Sequence, residues 1–313
     1  MPQKRDCPIC QSGDHYALGF RGRSRLPLQP VVCRGCGLVF INPMYPDVEK
    51  EAGTEGARAV HRPVRYHQSL AAAQQRQVPA AERVIGVLKD RIRTGDRVLD
   101  IGCGDGALLR GLKQIGAAPT GCDLDPYGAI FIQQNFGIPV VVAPFEQAGF
   151  QEGSFEAVVA THVIEHFFDP VAALRKMRSL LSSNGILLLE TPNLLRPKVG
   201  PRRLFSVPHN YYFTPRTLCL ALHKAGFRPA AVREFHRDSF LVLAYPAEAG
   251  EADCPMGDDW RQVARAIRGH AIRYRASLQF LWRKIPGIKS AWMYRVHRDT
   301  AGEDLRRWLK RAA

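Results

Sequence analysis

The sequence predicts an α/β fold in which a mostly parallel β-sheet is covered by helices on both faces. From about residue 81 to residue 247, short apolar stretches with strand character alternate with stretches of helical periodicity, as in βαβ units. Two cysteine pairs near the N-terminus predict a small metal-binding module over residues 1–45, called the cysteine module below. Residues 46–80 are a linker with the start of a helix, and residues 248–313 are a basic amphipathic helical tail.

Length and charge set the first limits. The 313 residues suffice for one large or two modest domains with a buried core. The formal net charge of +15 divides into +5 for residues 1–80, +1 for residues 81–254 and +9 for residues 255–313. Because residues 81–254 are nearly neutral, nucleic-acid binding is not expected in this region. Any such binding is expected at the two basic flanking regions. No apolar run approaches the roughly 18 residues of a membrane span, and no apolar segment follows Met1, so we expect a cytoplasmic protein.

The cysteine module carries two C-x-x-C pairs separated by 22 residues. Two such pairs can present four thiolates to one ion in the closed tetrahedral geometry of structural zinc, as in a zinc-ribbon-like fold. Two disulfides, four unrelated thiols or a redox pair are the alternatives, and a cytoplasmic setting disfavours disulfides. The predicted zinc ligands are Cys7, Cys10, Cys33 and Cys36.

A helical pattern runs from Ser69 to Arg91 and leads into the central domain. We expect Pro79 in its first turn, where the missing N–H costs nothing. The helix could lie across the mouth of the sheet as a lid, or it could be an ordinary packing helix. Apolar residues recur at helical spacing at Ala80, Val84, Val87 and Leu88.

The central domain opens with the apolar strand 97–101 and a glycine-rich turn. Gly102, Gly104 and Gly106 allow the backbone to turn tightly and to approach a ligand closely. The helix that follows from Ala107 directs its N-terminal N–H groups toward that ligand. The spacing G-x-G-x-G differs from the dinucleotide fingerprint G-x-G-x-x-G.

A second strand ends at Asp123, and a Pro-started helix follows it. An acid at this place can accept hydrogen bonds from ribose hydroxyls, although it could also serve as a helix cap. Asp125, directly before Pro126, is the better candidate for the cap. A third strand spans residues 139–143.

The fourth strand, residues 156–160, runs into the polar loop His-Val-Ile-Glu-His at residues 162–166. Asp169 and Pro170 then have the residue types of an N-cap and a first helical position. The helix is expected to end near Leu181. A fifth strand follows at residues 186–190, then a helix capped by Thr214.

The phrases D-I-G-C-G-D-G and G-S-F-E-A-V-V…H-V-I-E-H-F-F-D-P resemble class I S-adenosylmethionine-dependent methyltransferases of the small-molecule type over about residues 80–246. The resemblance implies a Rossmann-like seven-stranded sheet of order 3-2-1-4-5-7-6, with ligands at the carboxyl ends of the strands. Gln147 stands where the family often has an acidic residue. The implied cofactor-binding residues are Asp100, Gly102, Cys103, Gly104, Gly106, Asp123, Leu124, Phe145, Glu146, Thr161 and His162.

Methyl transfer from a sulfonium needs an acceptor held in line and, for a hydroxyl, the removal of a proton. His166 is the first candidate for the base, with Glu165 beside it and His209 as the second candidate. Alternatively, Glu165 and His166 only hydrogen-bond to loop backbone, and His209 only orients the acceptor. Arg202 and Arg203 could bind a phosphate or carboxylate of the acceptor, or form a solvated loop face.

The tail predicts a basic amphipathic helix, and a second helical stretch follows Pro286 and Gly287. These helices could pack on the domain or on a second subunit, dock on an anionic membrane that carries a lipid-linked acceptor, or contact RNA. The apolar positions of the first helix are Trp260, Val263, Ala264, Ile267, Ala271, Tyr274, Leu278 and Leu281.

Together these patterns predict an S-adenosylmethionine-dependent methyltransferase with a structural zinc, acting on a small-molecule, sugar-like or lipid-linked acceptor. Peripheral membrane contact through the tail would make it membrane-associated. The alternative enzymatic function is that of an RNA methyltransferase that binds RNA through the cysteine module and the tail. A non-catalytic scaffold is the third interpretation, disfavoured because a scaffold needs neither the glycine turn nor Asp123.

Overall fold

The computed structural model describes residues 3–20, 28–44, 63–205, 209–235, 238–247 and 260–276. The chain divides into two compact units, residues 1–267 and residues 268–313. The first part of the expected linker and the second helical stretch of the tail lie outside the described residues.

The cysteine module forms three short antiparallel strands: β1 (His15–Ala17), β2 (Pro30–Cys33) and β3 (Val39–Ile41). A fourth strand, β9 (Tyr211–Tyr212), pairs with β3 and completes a sheet of order β1-β2-β3-β9. The module therefore shares a sheet with a segment that lies far along the chain.

Helix α1 spans Pro63–Leu88 and thus begins earlier than the sequence predicts. Pro79 lies inside this helix, so its expected place in the first turn is wrong. An interior proline removes one helical hydrogen bond, and packing of the segment after it offsets that loss. The buried residues of that segment are Ala81, Val84, Val87 and Leu88.

The central sheet has seven strands in the order β10-β11-β8-β7-β4-β5-β6. Its strands are β4 (Arg97–Ile101), β5 (Ala118–Asp123), β6 (Val140–Val142), β7 (Phe155–Thr161), β8 (Leu181–Pro192), β10 (Phe227–Phe235) and β11 (Ser239–Pro246). The helices that follow α1 are α2 (Ala107–Gln114), α3 (Pro126–Phe136), α4 (Pro170–Leu180), α5 (Pro201–Leu204), α6 (Pro215–Lys224) and α7 (Trp260–Ala276), with a 3₁₀ turn at Phe145–Gln147.

This topology confirms the sheet order that the resemblance implies. Strands β4 to β8 pair in parallel, whereas β11 pairs antiparallel with β8 and β10 antiparallel with β11. The predicted N-caps are also present, because the side chains of Asp125, Asp169 and Thr214 accept backbone N–H groups at the starts of α3, α4 and α6. The carboxyl ends of five parallel strands consequently meet at one edge.

The first residues of α7 pack in the first unit. Val263, Ala264 and Ile267 are buried in a cluster that also contains Val39 of the cysteine module and Tyr212 of β9. Among the helices that the structure describes, none combines the length and the apolar character needed to span a membrane.

Candidate active site

The glycine turn follows β4 and is tied to the neighbouring strand. Gly102 donates its N–H to the Cys122 carbonyl at 2.7 Å. Gly104 donates its N–H to Oδ2 of Asp123 at 2.8 Å, and Asp125 donates its N–H to Oδ1 of the same carboxylate at 2.9 Å. Asp123 is thereby held at the end of β5 with its carboxylate beside the turn.

The glycines of the turn differ in what surrounds them. Gly102 has a φ of +71°, and a Cβ there would lie 2.3 Å from Cγ2 of Val163. Gly104 has a φ of +52°, and no heavy atom lies within 4 Å of the place a Cβ would take. Position 102 requires glycine because any side chain would collide with Val163 of the next loop. At Gly104 the space beside the backbone is open, so a ligand can approach the backbone closely.

Asp100 lies under the turn and is almost completely buried, with 1% of its surface exposed. Its Oδ1 has no hydrogen-bond partner. Burial raises the pKa of Asp100 well above its ordinary value, and the charges of Asp123 and Asp105 add to the increase. A buried carboxylate oxygen without a partner fits a ligand that brings a hydrogen-bond donor or a positive charge.

The other residues with an implied cofactor role are divided between core and surface. Leu124 follows Asp123 and is 50% exposed. Phe145 is buried, its ring lies 5.9 Å from that of Phe167, and Glu146 follows it in the 3₁₀ turn. Cys103 is also buried, and Thr161 ends β7.

The loop of residues 162–169 brings a buried carboxylate and two histidines together. Glu165 is 1% exposed, and its Oε2 accepts a hydrogen bond from the Thr191 hydroxyl at 3.0 Å. Its Oε1 lies 3.7 Å from Nδ1 of His162 and 4.0 Å from Nε2 of His166. The rings of His166 and His209 meet edge to face at 4.8 Å.

The backbone of this loop is held by the segment at Asn210 and Tyr211. The carbonyl of Glu165 accepts the N–H groups of Asn210 and Tyr211, and the His166 carbonyl accepts from the Asn210 side chain. These bonds hold the loop through its backbone. The side chains remain directed to one another, and one ligand-type atom from each of Glu165, His166 and His209 lies within 4.8 Å of the others.

A third buried carboxylate, Glu190 near the end of β8, lies beside His162 and was missed by the sequence analysis. It accepts the hydroxyl of Ser239 at 2.9 Å and lies 3.6 Å from Nε2 of His162. Nη2 of Arg83, in α1, lies 3.6 Å from the same carboxylate oxygen, Oε1. The sequence offered one signal for Glu190, a charged residue directly after the apolar residues 186–189. Its partners could not be predicted, because they lie far away in sequence.

These contacts set the charges of two histidines in opposite directions. For His162, burial opposes protonation, but Glu165 and Glu190 outweigh it and raise the pKa to about 10. For His209, burial lowers the pKa to about 4 although Glu165 opposes the change. His162 therefore carries a positive charge at neutral pH, and His209 is neutral.

The four paired cysteines form a compact group in the cysteine module. One Sγ–Sγ distance is 3.4 Å, between Cys7 and Cys36, and another is 3.3 Å, between Cys10 and Cys33. All four are free thiols within 4.8 Å of one another. These separations exceed the roughly 2.05 Å of a disulfide and suit thiolates around one ion.

Arg203, one of the two arginines that could bind an anionic acceptor, lies in α5 and is exposed. The side chain of the other, Arg202, lies outside the described part of the structure.

Comparison with known proteins gives two kinds of match. Curated relatives named ubiquinone biosynthesis O-methyltransferase are 37% identical over 105 residues in Xanthomonas campestris pv. campestris strain B100 and 39% identical over 105 residues in Xanthomonas axonopodis pv. citri strain 306. Each match covers 32% of this chain and 44% of the relative, so the chain spans less than half the length of these relatives.

Among solved structures, a complex between the Haloferax volcanii Trm112 methyltransferase activator and a methyltransferase matches with a TM-score of 0.50 at 14% identity. That match covers 59% of this chain and 97% of the other, and at this identity it shows the fold alone.

The family model described as "Methyltransferase domain" matches residues 72–232, just over half of the chain. The matched range contains the glycine turn, Asp123 and the 162–169 loop. This chain belongs to the methyltransferase domain family.

Proposed function

We propose that this protein is an S-adenosylmethionine-dependent methyltransferase acting on a small-molecule acceptor. The observation that carries the proposal is the pairing of the open glycine turn with Asp123, through the 2.8 Å hydrogen bond from Gly104. The match to the methyltransferase domain family also supports the proposal. A non-catalytic scaffold, by contrast, would need no open glycine turn.

The residues at this edge fit the cofactor. Bound S-adenosylmethionine supplies a methyl group on a sulfonium, from which the group can be displaced directly. The carboxylate of Asp123 accepts ribose hydroxyls, and the backbone at Gly104 approaches the ligand closely. The unpartnered oxygen of Asp100 accepts a hydrogen bond from the cationic part of the ligand.

The acceptor side is formed by the histidine and glutamate cluster. His166, with its Nε2 4.0 Å from Oε1 of Glu165, takes the proton of an acceptor hydroxyl, while His209, which is neutral at pH 7, orients the acceptor. The buried carboxylate of Glu165 stabilises the imidazolium that results. His162 keeps its own proton at neutral pH, so it acts as a donor and not as a base.

The curated relatives support this acceptor class, because their printed names describe O-methylation in ubiquinone biosynthesis. A hydroxyl on a small molecule is the acceptor we propose, and a sugar-like or lipid-linked carrier of that hydroxyl fits the same chemistry.

We also propose that Cys7, Cys10, Cys33 and Cys36 bind one structural zinc. Four thiolates fill the tetrahedral coordination of the ion and leave no open position for catalysis. Metal binding would supply stability that such a small module lacks.

The test measures transfer of a labelled methyl group from S-adenosylmethionine to a panel of phenolic, sugar and lipid-linked hydroxyl compounds and, in parallel, to total RNA. We expect label in at least one small-molecule class and none in RNA. Asp123→Ala should abolish the transfer, and Glu152→Ala, an exposed acid outside the site, should not. Label in RNA alone would refute the proposed acceptor class.

A further inference from the structure

The cysteine module is joined to the candidate active site through a shared sheet. Strand β3 pairs with β9 through Phe40 opposite Tyr211 and Val39 opposite Tyr212. The N–H of Ile41 also donates to the carbonyl of Asn210 at 3.0 Å. The segment that carries His209, which directly precedes Asn210, is thereby fixed to the module.

Strand β9 in turn binds the 162–169 loop. The N–H groups of Asn210 and Tyr211 donate to the Glu165 carbonyl at 2.9 and 3.1 Å. The side-chain amide of Asn210 donates to the His166 carbonyl at 2.7 Å, and the Tyr211 hydroxyl donates to the Phe168 carbonyl at 2.8 Å. Four hydrogen bonds thus fix the backbone at and after Glu165.

Arg5 reaches the same loop from the module itself, two residues before Cys7. Its guanidinium donates to the Phe168 carbonyl, lies 4.1 Å from the centre of the Phe168 ring and approaches the Asp169 carboxylate to 3.9 Å. The backbone of Arg5 is held by Asn42, whose side chain accepts its N–H at 3.1 Å and donates to its carbonyl at 3.0 Å.

The thiol group packs into the same core as the loop. Cys7, Cys33 and Cys36 share one buried cluster with Ile164 and Tyr211. A shift of the thiols would therefore disturb side chains that support the loop, since protein cores are close-packed. Gly104, by contrast, donates its N–H to the Asp123 carboxylate, which also accepts the N–H of Asp125, and neither carboxylate oxygen of Asp123 accepts a hydrogen bond from the described part of the module.

We propose that the cysteine module positions the acceptor-side residues Glu165, His166 and His209 through Arg5 and β9, by contacts that do not include the hydrogen bonds of Gly104 and Asp123 on the cofactor side. Arg5, Asn210 and Tyr211 are positioning residues in this arrangement. A metal on the four thiolates keeps the module rigid enough to perform that task. The inference rests on the proposed function, but its test needs no acceptor.

The first experiment compares Arg5→Ala and Tyr211→Phe with Arg34→Ala in the full chain. Arg34 belongs to the same module but pairs with Asp14 at 3.5 Å, away from the loop. Amide hydrogen exchange of residues 163–169 should quicken about fivefold in Tyr211→Phe, the factor for one lost hydrogen bond, and more in Arg5→Ala.

Two readouts distinguish a positioning role from a general loss of stability. They are the affinity for S-adenosylmethionine and the recovery of loop protection in a conservative variant. The dissociation constant for S-adenosylmethionine should stay within twofold of the parent chain in these variants. Arg34→Ala should leave the exchange of residues 163–169 unchanged, and Arg5→Lys should restore most of the protection. Unchanged exchange of residues 163–169 in both test variants would overturn the inference. It would also be overturned if the dissociation constant for S-adenosylmethionine rose by the same factor as the exchange rate of these residues.

The second experiment removes the metal with a chelator and repeats both measurements. We expect faster exchange in residues 163–169 with cofactor binding retained, and unchanged exchange on removal of a bound metal would overturn the metal's part in the inference. A chain that binds no metal refutes the zinc proposal, and the Arg5 and Tyr211 variants then decide the positioning role alone. A chain that binds no S-adenosylmethionine refutes the proposed function, while the exchange of the loop still decides this inference.

Discussion

Replacing Gly104 with alanine separates a ligand-binding role of the glycine turn from a purely structural one. The backbone at Gly104 has a φ of +52°, a region that costs a non-glycine residue about 1 kcal/mol or slightly more. A Cβ there meets no heavy atom within 4 Å, so steric repulsion inside the protein adds nothing. The expected stability loss is therefore about 1 kcal/mol, or roughly 2–4 °C in Tm.

Gly153→Ala provides the matched control. Gly153 has a φ of +65°, again with nothing within 4 Å of its Cβ position, but it lies in the turn before β7, outside the site. Its stability loss should equal that of Gly104→Ala. Only Gly104→Ala should weaken S-adenosylmethionine binding, by more than about tenfold, because its methyl group occupies the side that the ligand approaches.

Isothermal titration calorimetry and thermal unfolding of the three proteins measure both quantities. Gly102→Ala extends the series, because its Cβ would lie 2.3 Å from Val163 and overpacking adds about 1–3 kcal/mol. If Gly104→Ala binds S-adenosylmethionine within twofold of the parent chain, the ligand does not approach this turn and the site is placed wrongly.

Four further predictions concern charge and metal. Histidine titration by NMR should give pKa values of about 10 for His162 and about 4 for His209, and values near 6.5 for both would contradict the described electrostatics. Because the unfolded chain protonates His209 more readily than the folded chain, the free energy of unfolding should fall as the pH falls from about 6.5 to about 4, and His209→Gln should lack this contribution. Glu190→Gln should lower the pKa of His162, whereas the exposed control Glu152→Gln should not move it. Elemental analysis should find one zinc per chain, and the Cys33→Ser variant should bind zinc more weakly and unfold at a lower temperature. A chain that contains no metal and whose Tm does not change on addition of a chelator would refute the zinc site.

The sequence predicts the central sheet well because its signals are local. Most of the parallel strands contain a short apolar run, such as the four residues 186–189 of β8. The caps at Asp125, Asp169 and Thr214 depend on residues that are neighbours in the chain. The order of the strands came from the resemblance to a known family.

What the sequence could not predict depends on contacts between distant residues. The two-residue strand β9 forms only because β3 offers a partner about 170 residues earlier. The contacts of Glu190 with His162 and Arg83 likewise join three separate elements. Pro79 misled the prediction of α1, because proline usually marks a helix start, whereas packing of the segment after it keeps this helix continuous.

The most direct test of the account is calorimetric titration of the full chain with S-adenosylmethionine. We predict one molecule bound per chain with a dissociation constant between about 1 μM and 1 mM, the usual range for enzyme substrates. The binding should be lost in Asp123→Ala and kept in Glu152→Ala. Absence of binding by the parent chain, or equal binding by Asp123→Ala, would contradict the central claim.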